Sequence, residues 1–570
     1  MSSHRLDLRE IIVEALVDHF PQCAHDVVAV ATETTEHLSR LAETAFLRLE
    51  SAVKGQVAGL LRSQLQEESV RLAELHVLVT GFLVEKWRQR KEKKPLNSSD
   101  LAEYAKVLGN HAVALGRSGR TDQALVCERE VRNSFEGLVR KDRRRHEPDY
   151  ATSLSNYAAY LSEVGQSDEA LEHAKQALEI RRRLAQTRPD RYEPDYAGSL
   201  SNYANGLSAV GQSDEALEHA KQALEHAKQA LEIYRRLAQA RPDRYEPDYA
   251  TSLNNYAACL SAVGQSDEAL EHAKQALEIY RRLAQARPDR YEPDYATSLN
   301  NYANRLSEVG QSDEALEHAK QALEIYRRLA QARPDRYEPD YATSLSNYAA
   351  YLSAVGQSDE ALEHAKQALE IRRRLAQARP DRYEPDYAGS LSNYANGLSA
   401  VGQSDEALEH AKQALEIRRR LAQARPDRFE DTRLSASCLM HFLSWLCDRH
   451  ATDSPLPDPN AIPETIRPRR RPVLVLYTAF VQGCLAADEA SRAKAFEQVH
   501  LAWDILPLAD RSAVRDCWLC AAAWCETLVP EMLAQVDWQA EWRSFKTQRH
   551  GRVPHWMVEV ARRLSFRWPS

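Results

Sequence analysis

The feature that most constrains this chain is a repeat: the block opening Tyr150-Ala151 returns at Tyr196, Tyr249, Tyr295, Tyr341 and Tyr387, at spacings of 46, 53, 46, 46 and 46 residues. A more divergent copy opens at Tyr104, where Ala105, Leu108, Asn110, Ala112, Leu115, Gly119, Ala124 and Leu125 stand 46 residues before their counterparts, which makes seven units. Self-similarity at such a period marks stacked supersecondary units, none of which can bury its apolar faces alone. The repeated segment must therefore fold as one cooperative array.

Within a unit, Leu154, Tyr157, Ala158 and Leu161 recur at i, i+3, i+4 and i+7, the apolar stripe of a helix, here helix A. Gly165 is expected to stop it and Ser167 to cap helix B, with Asp168 and Glu169 at its positive end and Arg181-Arg182-Arg183 at its negative end. Ala170, Leu171, Ala174, Ala177, Leu178 and Leu184 give helix B an apolar face, and its small alanines allow a close helix–helix approach. Pro189 and Pro194 are expected to break the chain before the next helix A. With 19 Gly in 570 residues and abundant Ala, Leu, Glu, Arg and Gln, propensity favours helix nearly throughout, so the fold class is all-α.

The period alone fits several helical repeats, so the residue pattern decides. Leu154-x2-Tyr157-Ala158-x2-Leu161, then Gly165, Ala170-x3-Ala174 and Ala177, resembles the tetratricopeptide repeat, from residue 104 to about 432. Leu154 stands where that family usually has Trp and Ala158 where it has Gly, and helix B is longer, similar to the repeats of kinesin light chain relatives. The resemblance implies a right-handed α-solenoid of helical hairpins with the A helices lining an inner groove, and a non-enzymatic interaction scaffold.

The six close copies differ little, and duplication by recombination explains their identity. In helix A they vary at the positions of Thr152, Ser155, Ala159, Tyr160 and Glu163, four of which follow 3-4-4 spacing on one face. By resemblance that face lines the groove, beside an Asn present in every copy: Asn110, Asn156, Asn202, Asn255, Asn301, Asn347 and Asn393. From Asn156 onward, together with the variable Asn205, Asn254, Asn300, Asn304, Arg305, Tyr351 and Asn396, they form the candidate peptide-binding groove, because an amide offers donors and an acceptor to an extended backbone. The competing reading is that the Asn residues cap or bridge neighbouring hairpins. Lys106 and Arg305, the only cations comparable to those with which a subclass of the family clamps a peptide carboxylate, lie in distant units, so no such capture is expected. Residues Glu225–Leu231 (EHAKQAL) repeat Glu218–Leu224, which predicts an overlong helix B in unit 3 and a local irregularity in the superhelix.

The expected organisation is a helical N-terminal region (1–98), the array (99–432), a capping helix (433–450), a linker with six prolines (451–472) and a Trp-rich helical domain (473–570). In the first region, Leu6, Ile11, Ile12, Leu16 and Phe20 read as a short amphipathic segment. Net charge is -8, so nucleic acid is not the default partner, and the basic run Lys86–Lys94 reads as a solvated face. No apolar run is long enough to span a bilayer and no secretory signal is evident, which places the protein in the cytoplasm. The nine cysteines read as reduced thiols. Cys517, Cys520 and Trp524 fall on one helix face, a pattern of buried cysteines more than of a metal site, and the His173, His219, His272, His318, His364 and His410 ladder reads as surface. No catalytic residue, metal site or cofactor is expected. The function read from the sequence is a scaffold or adaptor binding a protein segment, in a bacterial signalling or defence system, with oligomerisation through the ends open. Two alternatives are an enzymatic C-terminal domain using Cys517 or Cys520 with His500, and nucleic-acid binding through the Arg-rich turns.

Overall fold

The computed structural model describes residues 36–61, 73–210, 215–448, 456–462, 470–506, 511, 514–533 and 537–569, and every regular element among them is helical. The segment read from Leu6 to Phe20 lies outside the described residues, as does part of the proline-rich stretch. The chain is an all-α solenoid of consecutive antiparallel hairpins.

Unit 5 shows how the period is filled. Helix A (Pro288–Glu308) and helix B (Ser312–Ala332) are each 21 residues long, the turn Val309-Gly310-Gln311 joins them, and the single extended residue Arg333 leads into Pro334 of the next helix A. The same plan gives unit 4 (Pro242–Ala262, Ser266–Ala286), unit 6 (Pro334–Ala354, Ser358–Ala378) and unit 7 (Pro380–Ala400, Ser404–Ala424). Unit 1 is Ser98–Arg117 with Thr121–Val139, and unit 2 is Arg143–Glu163 with Ser167–Thr187. In unit 3, helix A is Pro189–Val210 and helix B, which carries the duplicated heptad, is described over the 26 residues Glu215–Ala240.

Three sequence expectations about helix ends are corrected. The first proline of each pair stands at the break, as Pro189 and Pro288 open helix A after an extended arginine, but the second does not break the chain: Pro194 and Pro293 sit inside the helix. The single hydrogen bond Pro293 forgoes is offset locally, because its carbonyl accepts from Thr297 Oγ1 (3.0 Å) and Tyr326 Oη (3.3 Å). Ser167 is not a cap but the first helical residue; Gly165, at φ +83°, closes helix A and leaves Gln166 as the half-helical residue. The arginines do not sit at the end of helix B, which runs on to Thr187. Arg181 turns inward, donating to Ser199 Oγ at 2.9 Å and to the Asp195 carbonyl at 3.2 Å.

Alanines hold the array together. Ala269, Ala273 and Ala276 of helix B and Ala257 of helix A in unit 4 are almost fully buried, as are their counterparts in the neighbouring units. Without side chains beyond Cβ, the helices approach closely and interlock over long contact lines. One continuous core runs from Ala204 through Ile371, whereas Leu178, Leu200 and Ala230, beside the lengthened helix, form a separate small cluster.

The helix after unit 7, Pro426–Leu446, starts at a proline as the helices A of units 3 to 7 do, ahead of the Arg433 start read from its apolar spacing. Helices Arg470–Leu485, Glu489–Ile505, Arg515–Leu528, Trp538–Gln548 and His555–Arg563 follow. Their core is continuous with that of unit 7 and contains stacked pairs Trp503–Trp518 (4.4 Å) and Trp542–Trp568 (4.3 Å).

The superhelix closes on itself. Arg379 donates to the Gly119 carbonyl (3.2 Å) and Arg425 to the Gly165 carbonyl (2.8 Å), each 260 residues away and therefore between five and six periods along the chain. Arg382 adds a bond to Thr121 Oγ1 at 2.9 Å. The junction arginines of one turn are thus seated on the A–B turns of the turn before. The C-terminal domain continues this stacking over units 5 and 6, where Gln548 donates to the Gly310 carbonyl (3.2 Å) and Arg552 to that of Gly356 (3.3 Å).

Near-identical copies provide an internal control for this contact. Gly264 and Gly356 share φ values of +88° and +83°, but a Cβ at Gly264 would meet nothing within 4 Å whereas one at Gly356 would lie 2.6 Å from the Arg549 carbonyl. Gly264→Ala is expected to cost only the left-handed penalty of roughly 1–2 kcal/mol. Gly356→Ala should cost more and detach the C-terminal domain, seen as a lower thermal midpoint and faster proteolysis after residue 448.

Candidate functional site

Successive helices A pack closer to one another than successive helices B, so the A helices form the inner, concave side. The bonds that cross between units there join A to A. Asn254 Nδ2 donates to Ser298 Oγ (3.4 Å), Asn300 Nδ2 to Ser344 Oγ (2.7 Å) and Tyr351 Oη to Asn304 Oδ1 (2.5 Å). Arg305 pairs with Glu308 at 3.1 Å, and Lys106 with Asp149 at 3.1 Å.

The thirteen candidate residues therefore divide. Asn254, Asn300, Asn304, Arg305 and Tyr351 are engaged in bonds inside the array, and Asn300 and Tyr351 are buried. Asn202, Asn205, Asn393 and Asn396 are exposed, and Asn156, Asn255, Asn301 and Asn347 are half-buried. At the position of Ser155 the alternation of Ser and Asn decides whether a bridge forms: Asn254 and Asn300 are long enough to reach the serine of the next helix A. That signal was in the sequence, but its meaning depends on which neighbour stands opposite.

The histidine ladder is corrected from surface to half-buried. His272, His318, His364 and His410 each set an edge against the tyrosine of helix A at 5.0 Å, and burial lowers the pKa of His173, His226, His318 and His364. Cys517 and Cys520 are buried and their thiols are held protonated by desolvation, while His500 accepts from Trp518 Nε1 at 3.1 Å and is pushed down to about 4 by burial. No group of His, Cys, Asp or Glu among the described residues is placed to hold a metal. One arginine of helix B pairs with a glutamate of helix A in unit after unit, for example Arg328–Glu292 (2.7 Å), Arg374–Glu338 (3.1 Å) and Arg420–Glu384 (3.2 Å). In the basic run, Arg90 pairs with Asp100 (2.9 Å) and Lys91 with Glu130 (3.2 Å).

One buried residue was missed in the sequence. Glu128 of unit 1 occupies the position of Ala174, Ala273 and Ala319 in the other units, with Gly109 beside its carboxyl. No donor reaches hydrogen-bonding geometry with either oxygen, although the Asn156 side chain faces the group and offsets part of its burial. Burial raises its pKa to about 8 from an ordinary 4.5, so the stability that favours the neutral acid is full below pH 4.5 and is lost as pH rises toward 8. Glu128→Gln is expected to stabilise the protein by about 2–4 kcal/mol at pH 8 and by little at pH 5, read from denaturant unfolding at the two pH values.

The family profile described as the tetratricopeptide repeat matches residues 151–189, 296–334, 342–380 and 388–427, and a second profile of the same description matches 227–282. Among solved structures, the chain is similar to a putative kinesin light chain of Podosopora anserina with nearly identical repeats, at 28% identity over 40% of this chain and 98% of that one, TM-score 0.31. A Rap protein complexed with competence and sporulation factor is 17% identical over 72% of this chain and 99% of that one, TM-score 0.40. A signal-transduction ATPase with a tetratricopeptide-repeat sensor from Pyrococcus horikoshii is 14% identical over 79% and 64%, TM-score 0.37. No curated protein matches the chain. Profile matches in five of the seven units, on hairpins whose small positions are buried alanines, make this chain a tetratricopeptide-repeat protein.

Proposed function

We propose that the array is a non-enzymatic interaction scaffold that holds an extended protein segment along its concave face. The observation that carries the reading is the set of amides on the inner helices A that the array itself does not use for bridging: Asn202 and Asn205 exposed in unit 3, and Asn255, Asn301 and Asn347 half-exposed in units 4 to 6. One amide per repeat presents a donor and an acceptor at a regular rise, which suits the main chain of an extended peptide and asks for no particular charge. The ion pairs that occupy Lys106 and Arg305 remove the cations that a carboxylate clamp would need.

The reading also places the protein in the cytoplasm, as an adaptor in a bacterial signalling or defence system. Free thiols at Cys484 and Cys520 support a reducing compartment. No described helix is long and apolar enough to cross a membrane.

The test is affinity capture from source-cell lysate with the full chain and the double variant Asn202→Arg/Asn205→Arg, both at exposed positions. A partner retained by the wild type and weakened tenfold or more by a variant of unchanged helicity supports the groove. Equal retention moves the binding surface off these helices. Asn300→Ala serves as the opposite control: loss of its bond to Ser344 is expected to cost about 1–2 kcal/mol of stability without changing capture.

A further inference from the structure

The concave side of units 6 and 7 does not end in open solvent. Helix Pro426–Leu446 and the C-terminal domain cover it and leave a cavity of about 610 Å³, within the range of small-molecule sites. Its two walls differ in character. The array contributes short polar side chains, among them Ser346, Ser353, Ser390, Asn393 and Asn396. The facing wall is aromatic: Phe442, Phe480 and Trp556 also line it, with ring centroids 5.4 Å apart for Phe442–Trp556 and 5.8 Å for Phe442–Phe480.

Three charged groups line the same cavity, and one of them, Arg418, donates to the Thr432 carbonyl at 3.1 Å. Asp516 is enclosed by protein, yet its side chain keeps some accessible surface, which is what facing an internal space produces. Among the described residues no other side chain bonds to its carboxyl group. The adjacent Arg515 is turned away, committed to Glu541 Oε2 at 2.7 Å and Gln548 Oε1 at 2.9 Å. Arg549 is 7% exposed and lies over the Phe545 ring at 5.5 Å. Its Nε donates to the Arg552 carbonyl at 3.2 Å, and it does not pair with Asp516. Each is destabilised by burial and partly relieved by the distant charge of the other. A buried acid and a buried base that share a cavity without closing on each other are costly to the fold alone, and a ligand carrying both complementary charges would relieve that cost.

We propose that this cavity is a binding site for a small zwitterion of the amino-acid type, its ammonium group received by Asp516, its carboxylate by Arg549, and its apolar part by the aromatic wall. The site is separate from the peptide reading, since it needs neither Asn202 nor Asn205. It is built jointly by the last repeats and the C-terminal domain, so the ligand would bridge the two and tighten their contact.

The experiment is a thermal-shift and calorimetric titration of the full-length protein with each of the twenty common amino acids singly. The tightest is then compared with its decarboxylated amine and its deaminated acid. The expected result is a saturable rise in thermal midpoint for at least one amino acid, with both analogues at least tenfold weaker. Asp516→Asn and Arg549→Gln should each weaken binding tenfold or more, with the aromatic near-ultraviolet circular dichroism unchanged. Because either variant could disturb packing, Ala350→Trp, at an exposed position that lines the cavity, gives a second arm: it should abolish binding and leave unfolding unaltered. The proposal is overturned if no amino acid binds saturably, if the amine or the acid binds as well as the parent, or if Ala350→Trp in a folded protein leaves binding intact. Capture of a partner in lysate that is lost with Asn202→Arg/Asn205→Arg but kept with Ala350→Trp would leave the groove reading standing whatever the outcome here.

Discussion

Everything else in this structure depends on how closely the helices of one hairpin can approach. Ala170, Ala174 and Ala177, with Ala158 across from them, put only methyl groups between two backbones, and the corresponding alanines do the same in each close copy. That contact fixes the thickness of a unit. With a single arginine joining helix B to the next helix A, the unit has almost no freedom to tilt, so a small rotation is repeated faithfully along the array. The accumulated rotation brings Arg379 and Arg425 onto carbonyls 260 residues earlier. A looser hairpin contact or a longer junction would send those arginines elsewhere.

The closure gives arginine three distinct uses in nearly the same sequence. At the junctions it reaches a glycine carbonyl of the preceding superhelical turn. At the position of Arg181 and Arg372 it is buried and bonded to serine of the next helix A. Two residues further on, as in Arg328 and Arg374, it pairs on the surface with a glutamate. Surface pairs of this sort contribute little individually, whereas the buried and turn-to-turn bonds are positioned by the fold and in turn hold it. The units with tyrosine in place of Arg181 bond within their own hairpin instead, Tyr326 reaching Thr297 Oγ1 at 2.6 Å.

The C-terminal domain takes the place that a further superhelical turn would occupy. Its residues 548 to 552 lie on the A–B turns of units 5 and 6 much as the junction arginines lie on those of units 1 and 2. It therefore caps the edge of the solenoid and, at the same time, roofs the concave side of units 6 and 7. Any segment lying along the inner helices meets that roof, so the amides of unit 3 and those of unit 7, which line the roofed cavity, meet different surroundings despite identical local sequence.

Much of this was legible from residues alone, for a physical reason: period, apolar spacing and small-residue positions are local properties that every hairpin must satisfy for itself. They were sufficient for the helices, the hairpins, the stacking and the family pattern. The second proline of each pair misled because its effect depends on whether the hydrogen bond it forgoes is offset, as that of Pro293 is. The concave face was legible as a face, but its residues were not separable. Whether Asn300 bridges to Ser344 while Asn301 stays half-open is set by what the next unit places opposite. The sequence by itself determined the repeating unit, because that is written within 46 residues. Only the tertiary structure decided what a full superhelical turn brings together: the seating of Arg379 on Gly119, and the meeting of Asp516 and Arg549 with the polar wall of units 6 and 7. Those contacts arise from rotation summed over many units, which no window of sequence contains.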